Sequence, residues 1–185
     1  MNSQAMTSLK GQLLVSSARL EDADFRQAVI LVGEHNRDGA LGVVLNRPLD
    51  VTVADGFPAL APLVGAVATV FEGGPVRPES PVLLAEFTKA ERADLLVFGR
   101  VGFLIGDVPG NIGPEIERAR IFAGYAGWGP GQLEAEMAEG AWILDPARAE
   151  DVFTKDPARL WARVLRRKGP DFERMARVPY DPRVN

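Results

Sequence analysis

The chain has 185 residues, 46% of them hydrophobic and 25% charged, a balance that excludes a disordered or fibrous protein. With no cysteine it also excludes disulfides, thiolate nucleophiles and cysteine-based zinc clusters. The formal charge of −4 is uneven: residues 1–154 carry 12 Lys and Arg against 21 Asp and Glu, and residues 155–185 carry 9 against 4. An acidic body repels phosphate backbones, so any nucleic-acid contact would fall to the C-terminal segment. A chain of this length buries roughly 70% of its unfolded surface, enough for one self-sufficient core, and residues 1–185 read as a single domain.

The first twelve residues are polar, with no apolar core of the length that a signal peptide requires; residues 1–10 are expected to be flexible and the protein cytoplasmic. Leu13 to Val15, Ala28 to Gly33 and Gly39 to Asn46 are short runs rich in Val, Ile and Leu, and read as strands. The stretch from Glu34 through His35, Asn36, Arg37 and Asp38 to Gly39 is polar and ends in Asp-Gly, a turn signal, so the second and third strands form an antiparallel hairpin with His35 in its exposed loop. A parallel crossover would need a dozen or more connecting residues. Pro48 to Pro62, with three prolines, permits at most a short helix. A strand over Ala66 to Phe71 and a sharp turn at Glu72-Gly73-Gly74-Pro75 follow. Pro81 to Ala85, Leu95 to Phe98 and Gly102 to Ile105 are further candidate strands, and Glu86 to Asp94 is a loop or a helical turn or two. The apolar stretch Leu95 to Val108 is broken by Arg100, Gly102, Gly106 and Asp107 and is too short to cross a bilayer.

The C-terminal third shows helical spacing over Pro130 to Glu139 and Pro157 to Lys168. Asp156 is placed to cap the second helix, Pro157 to open it and Gly169-Pro170 to end it. Strands first and helices later favour an α+β arrangement.

Gly124-Tyr125-Ala126-Gly127-Trp128-Gly129-Pro130-Gly131-Gln132-Leu133-Glu134, followed by Gly140-Ala141-Trp142, resembles the AlgH/YqgE family of bacterial proteins. Gly11-Gln12-Leu13-Leu14, Gly42-Val43-Val44-Leu45-Asn46-Arg47-Pro48 and Gly73-Gly74-Pro75-Val76 are similar to further motifs of that family, in the same order. The resemblance covers about residues 11 to 145. It implies an α+β fold whose bent, largely antiparallel sheet closes into a barrel-like form, flanked by helices concentrated in the C-terminal third, in a bacterial cytoplasm. The family often carries a transcriptional-regulator label, and the resemblance brings no catalytic residue set, cofactor or metal.

Gly127, Gly129 and Gly131 precede a helix, where backbone N–H groups can converge on an anion; the competing reading is close packing beneath Trp128 and a tight strand-to-helix turn. The spacing matches neither a dinucleotide fingerprint nor a P-loop. His35 lies among Glu34, Asn36 and Asp38, too thin a set for a metal site. No nucleophile elbow is present. Glu72, Glu134 and Glu136 are available carboxylates, although residues two apart on a helix do not face each other. The tail helix sets Leu160, Trp161, Val164 and Leu165 against Arg159, Arg163, Arg166, Arg167 and Lys168, a basic amphipathic face that suits either docking on the body or contact with nucleic acid.

Three functions compete on this reading. The first is a non-enzymatic regulatory protein holding a small ligand or protein partner in a groove bordered by Asn46, Arg47, Gly73, Gly74, Trp128, Gly129, Gly131 and Gln132. The second is a DNA-binding regulator using the basic tail, and the third an enzyme built on Glu and Arg side chains near the same groove.

Overall fold

The computed structural model describes residues 7–20 and 22–177. Its strands are β1 (Gln12–Ser16), β2 (Val29–Asn36), β3 (Gly39–Val44), β4 (Pro48–Thr52), β5 (Thr69–Glu72), β6 (Val76–Phe87), β7 (Leu95–Phe98), β8 (Val101–Leu104), β9 (Ile116–Trp128) and β10 (Trp142–Pro146). Two short helices, α1 (Val53–Gly56) and α2 (Ala61–Val64), fill the proline-rich connection. The others, α3 (Gln132–Ala138), α4 (Ala149–Val152), α5 (Leu160–Arg167) and α6 (Pro170–Glu173), lie in the C-terminal third. None of these helices is long and apolar enough to cross a membrane. The class is α+β, as the order of patterns implies.

The sheet runs in the order β10-β1-β2-β3-β9-β6-β8-β7, with β4 on β5 and β5 on β9. Every pairing is antiparallel except β5 with β9. The expected closure into a barrel is not found. The sheet bends until β7 meets β2, yet the two ends of its path, β10 and β7, are not hydrogen-bonded to each other. Closure needs a continuous ladder, and β7 spends its pairing on β8 alone.

Alternation along the strands sorts side chains into cores on opposite faces. Leu13, Val15, Leu31 and Val43 join Leu84, Phe103 and Phe122 inside the bend, covered by Leu160, Trp161, Val164 and Leu165 of α5. Leu14, Ile30, Val32 and Val44 pack with Trp128, Leu133 and Trp142 on the outer face. Val70, Leu83, Phe87 and Ile121 form a third cluster with the α1–α2 region.

The hairpin of β2 and β3 is present, but its loop is shorter than expected. β2 continues to Asn36 and pairs His35 with Ala40. His35 is therefore a strand residue, 6% exposed, and not part of an exposed loop. Its Nδ1 accepts from the Leu9 N–H at 3.0 Å and its Nε2 lies 2.9 Å from Glu134 Oε1, so the tautomer with the proton on Nε2 satisfies both partners. Ser8 Oγ also donates to the His35 carbonyl, at 2.9 Å. Ser8 and Leu9 are thus tied to β2; of the segment 1–10 expected to be flexible, residues 1–6 lie outside the described residues. Asp156 precedes the helical segment at Pro157, but its side chain makes no capping hydrogen bond.

Candidate functional site

The chain crosses from β3 to β4 through Leu45, Asn46 and Arg47, and Asn46 fixes what faces that corner. Its Oδ1 accepts from the Val29 N–H at 2.9 Å and its Nδ2 donates to the Gln27 carbonyl at 2.8 Å. Gln27 is held at φ 51°, a left-handed conformation uncommon for a side-chain-bearing residue. The clamp presents Arg26 beside Arg47, whose guanidinium donates to the Arg26 carbonyl at 3.3 Å and stands 3.9 Å from the Glu72 carboxylate.

α5 supplies the facing wall. Its apolar side is buried against the sheet, and the Trp161 indole N–H donates to the Ser16 carbonyl at 3.0 Å. Its far end is anchored by Arg167, which donates to Asp145 at 2.5 Å and to Asp151 at 2.9 Å. Burial opposes the charge of Arg167, but the hydrogen bonds to Asp151 and Asp145 outweigh it and raise its pKa.

Between these walls lies a cleft of about 730 Å³, lined by Arg26, Arg47, Arg159 and Arg166 with Glu72 as its one carboxylate. Arg26 and Arg166 are exposed and take part in no ion pair among the described residues. Among the described residues Arg159 pairs only with the exposed Asp156, at 3.5 Å. Four cations facing one anion in an acidic chain make a local positive well, and the walls focus its field.

Asn46 and Arg47 from the sequence-based groove, and Arg159 and Arg166 from the tail, thus come together here. The other groove residues do not. Gly73 stitches β3 to β9: its N–H donates to Ala123 O and its carbonyl accepts from Val44 N, each at 2.9 Å. A Cβ on Gly73 would run into the Gly124 carbonyl, and one on Gly74, at φ 150°, into the Tyr125–Ala126 peptide. These glycines serve close strand packing.

The Trp128 turn belongs to the outer core, on the opposite face from Trp161. There the Trp128 and Trp142 indoles both donate to Glu136, at 3.0 and 2.7 Å. The Gly129 N–H is taken by Gln132 Oε1 at 3.0 Å, and Gly131, at φ 74°, turns the chain into α3. Glu134 holds His35, so Glu72, Glu134 and Glu136 serve three separate neighbourhoods. Among the described residues no group of three or more His, Cys, Asp or Glu side chains is arranged to hold a metal ion.

The basic face of the tail is largely spent on the body. Arg163 donates to Thr154 Oγ1 at 3.1 Å and lies 3.6 Å from Asp151, Arg167 is held as described, and Lys168 is 3.7 Å from Asp145. Arg26 was not singled out by the sequence; only its position beside the Asn46 clamp, a contact made at long range, marks it.

Fold and site together define a class: an α+β domain on an open, mostly antiparallel sheet, with an arginine-lined cleft where α5 docks. The AlgH-like family model, a domain family of unknown function, matches residues 13–173. The chain belongs to this family. A UPF0301 protein of Streptomyces coelicolor is 43% identical over 97% of both chains, and one from Rhodococcus opacus is 40% identical over 95% of this chain and 90% of its own. The crystal structure of the Corynebacterium diphtheriae protein DIP2367 superposes with a TM-score of 0.82 at 30% identity, covering 96% of this chain and 95% of that one. The solution structure of the AlgH protein from Pseudomonas aeruginosa gives 0.72 at 26% identity, covering 98% and 100%.

Proposed function

We propose that the protein is a non-enzymatic, cytoplasmic regulatory protein that binds a small anionic ligand in the cleft between Arg47 and α5. One observation carries this reading: Arg26, Arg47, Arg159 and Arg166, from three separate segments, face a single carboxylate, Glu72, in one cleft. Arginine's planar fork suits phosphate and carboxylate groups in particular. The volume falls within the range of small-molecule sites, and a cleft bounded by an acidic body favours a compact anion over a long phosphate backbone. Glu134 and Glu136 are engaged by His35 and the two indoles, which leaves Glu72 as the one carboxylate in the cleft, with no second to pair with it as acid and base, and supports binding over bond making.

The test is thermal unfolding against pyrophosphate, nucleoside di- and triphosphates and short dicarboxylates. A ligand at 100 times its Kd stabilises by about 2.7 kcal/mol, or roughly 5–11 °C at this chain length. The shift is expected to disappear in Arg47→Ala and Arg166→Ala. If no anion moves the midpoint, or if both variants retain the shift, the reading is wrong. DNA binding through the tail has less support, since Arg163, Arg167 and Lys168 already hold Asp145, Asp151 and Thr154. It would appear instead as affinity for duplex DNA that falls steeply with salt.

A further inference from the structure

A second cavity, of about 440 Å³, opens on the other side of Pro48, between the α1–α2 segment and the chain that links α4 to α5. At its floor is Arg120 of β9. The guanidinium lies 4.1 Å from the centroid of the Phe71 ring and donates to the carbonyls of Val152 and Thr154, each at 2.7 Å. Those two bonds occupy two of its five N–H groups. Arg120 has no ion pair with any carboxylate among the described residues, and burial alone pulls its pKa down to about 10. A cation withdrawn from water without a counter-charge is costly unless an anion joins it. The rest of the lining is mainly apolar, with Pro48, Val64, Ala68 and Phe153 along the walls, and it includes no Asp or Glu. Lys155, exposed and without an ion pair among the described residues, adds a second cation to the lining.

We infer that this cavity is a binding site for a small carboxylic acid with an apolar body, the carboxylate seated on Arg120 and the body lying along Val64, Ala68 and Phe153. The two halves of the cavity select together. An apolar wall without a cation would accept alcohols and acids alike, and a surface cation without the wall would not distinguish acetate from octanoate. The Arg47 cleft gathers four arginines and a carboxylate beside Pro48, Ala158, Trp161 and Ala162, whereas the lining of this cavity is mainly apolar with Arg120 and Lys155 as its cations, so the two sites differ in character and this one does not depend on the anion cleft.

Calorimetric titration of the full chain with octanoate, octanol and acetate tests the proposal, with the Arg120 Nε–H resonance followed by NMR in the same titrations. Octanoate is expected to bind and to shift the Arg120 Nε–H signal, with acetate and octanol at least about tenfold weaker. Arg120→Met is expected to cost octanoate about tenfold or more, and Ala68→Phe, which fills the cavity while leaving the Arg120 side chain present, is expected to abolish binding. Absence of octanoate binding to the wild-type protein overturns the proposal, as does equal binding of octanoate and octanol. So does octanoate binding that leaves the Arg120 signal unmoved, a readout that stands even if Arg120→Met fails to fold.

Discussion

Replacing Asp151 by Asn removes the charge at the centre of the lock that holds α5 to the body. Asp151 is 1% exposed. It accepts from Arg167 Nη1 at 2.9 Å, lies 2.7 Å from Arg167 Nη2 and 3.6 Å from Arg163, and accepts from the Arg148 N–H at 3.3 Å. Removing one partner of a buried ion pair costs about 3–5 kcal/mol, because the other charge is left stranded. Here Arg167 keeps Asp145, its side chain is 18% exposed, and Asn still offers an acceptor, so the cost falls to roughly 2–3 kcal/mol. For a chain of this size that lowers the midpoint by roughly 4–12 °C. Thermal melts by circular dichroism read it directly, with Asp156→Asn as the surface control. That substitution breaks only an exposed pair and should change stability by less than about 1 kcal/mol. A double-mutant cycle with Arg167→Met should show coupling of about 1 kcal/mol or more. If Asp151→Asn melts within about 2 °C of wild type, the lock does not stabilise the docking of α5.

Glu136→Ala leaves the Trp128 and Trp142 indoles without their acceptor; a loss of about 2–3 kcal/mol and a changed near-ultraviolet dichroism are expected, and an unaltered tryptophan signal would count against the shared hydrogen bond. The Glu134 carboxyl is held below its usual range by its backbone hydrogen bond first and then by His35. Because its folded pKa is depressed, its contribution is present above the unfolded value and is lost as pH falls through the folded one. The stability difference between wild type and Glu134→Gln should therefore shrink on acidification; a difference that grows would reverse the assignment. Gly74→Ala should cost roughly 3 kcal/mol or more through backbone collision, whereas Gly131→Ala, which meets open space, should cost only the left-handed backbone penalty of about 1–2 kcal/mol. Chemical denaturation separates the two, and equal losses would refute the packing argument.

What the sequence revealed follows from how local each signal is. Val, Ile and Leu runs marked β1, β2 and β3, and the Asp38-Gly39 pair marked the hairpin, because both signals are written in adjacent residues. β9 escaped notice although it is the longest strand, since Glu117, Arg118, Arg120, Gly124 and Gly127 interrupt its apolar pattern. Those interruptions have structural reasons: Arg118 pairs with Glu86 at 2.5 Å, Arg120 reaches the α4–α5 connection, and Gly124 admits the chain at Val76 and Gly74. β10 is similarly obscured, as Asp145 within it serves Arg167. His35 read as a loop residue because its neighbours are polar; its burial depends on Glu134 and Leu9, which no local window contains.

The charge asymmetry shows the same limit with a functional consequence. A basic tail on an acidic body reads, in sequence, as a surface prepared for an external polyanion. In the folded chain the excess is divided by helical phase: positions 163 and 167, four apart on one face of α5, turn to Asp151 and its neighbours, while Arg159 and Arg166 point to the side where Arg26 and Arg47 stand. Docking the helix therefore consumes most of its cations internally and joins the remainder to two arginines from the sheet. A ligand that meets all four must fit within one cleft, and that geometric requirement makes a compact anion a better occupant than a nucleic-acid duplex.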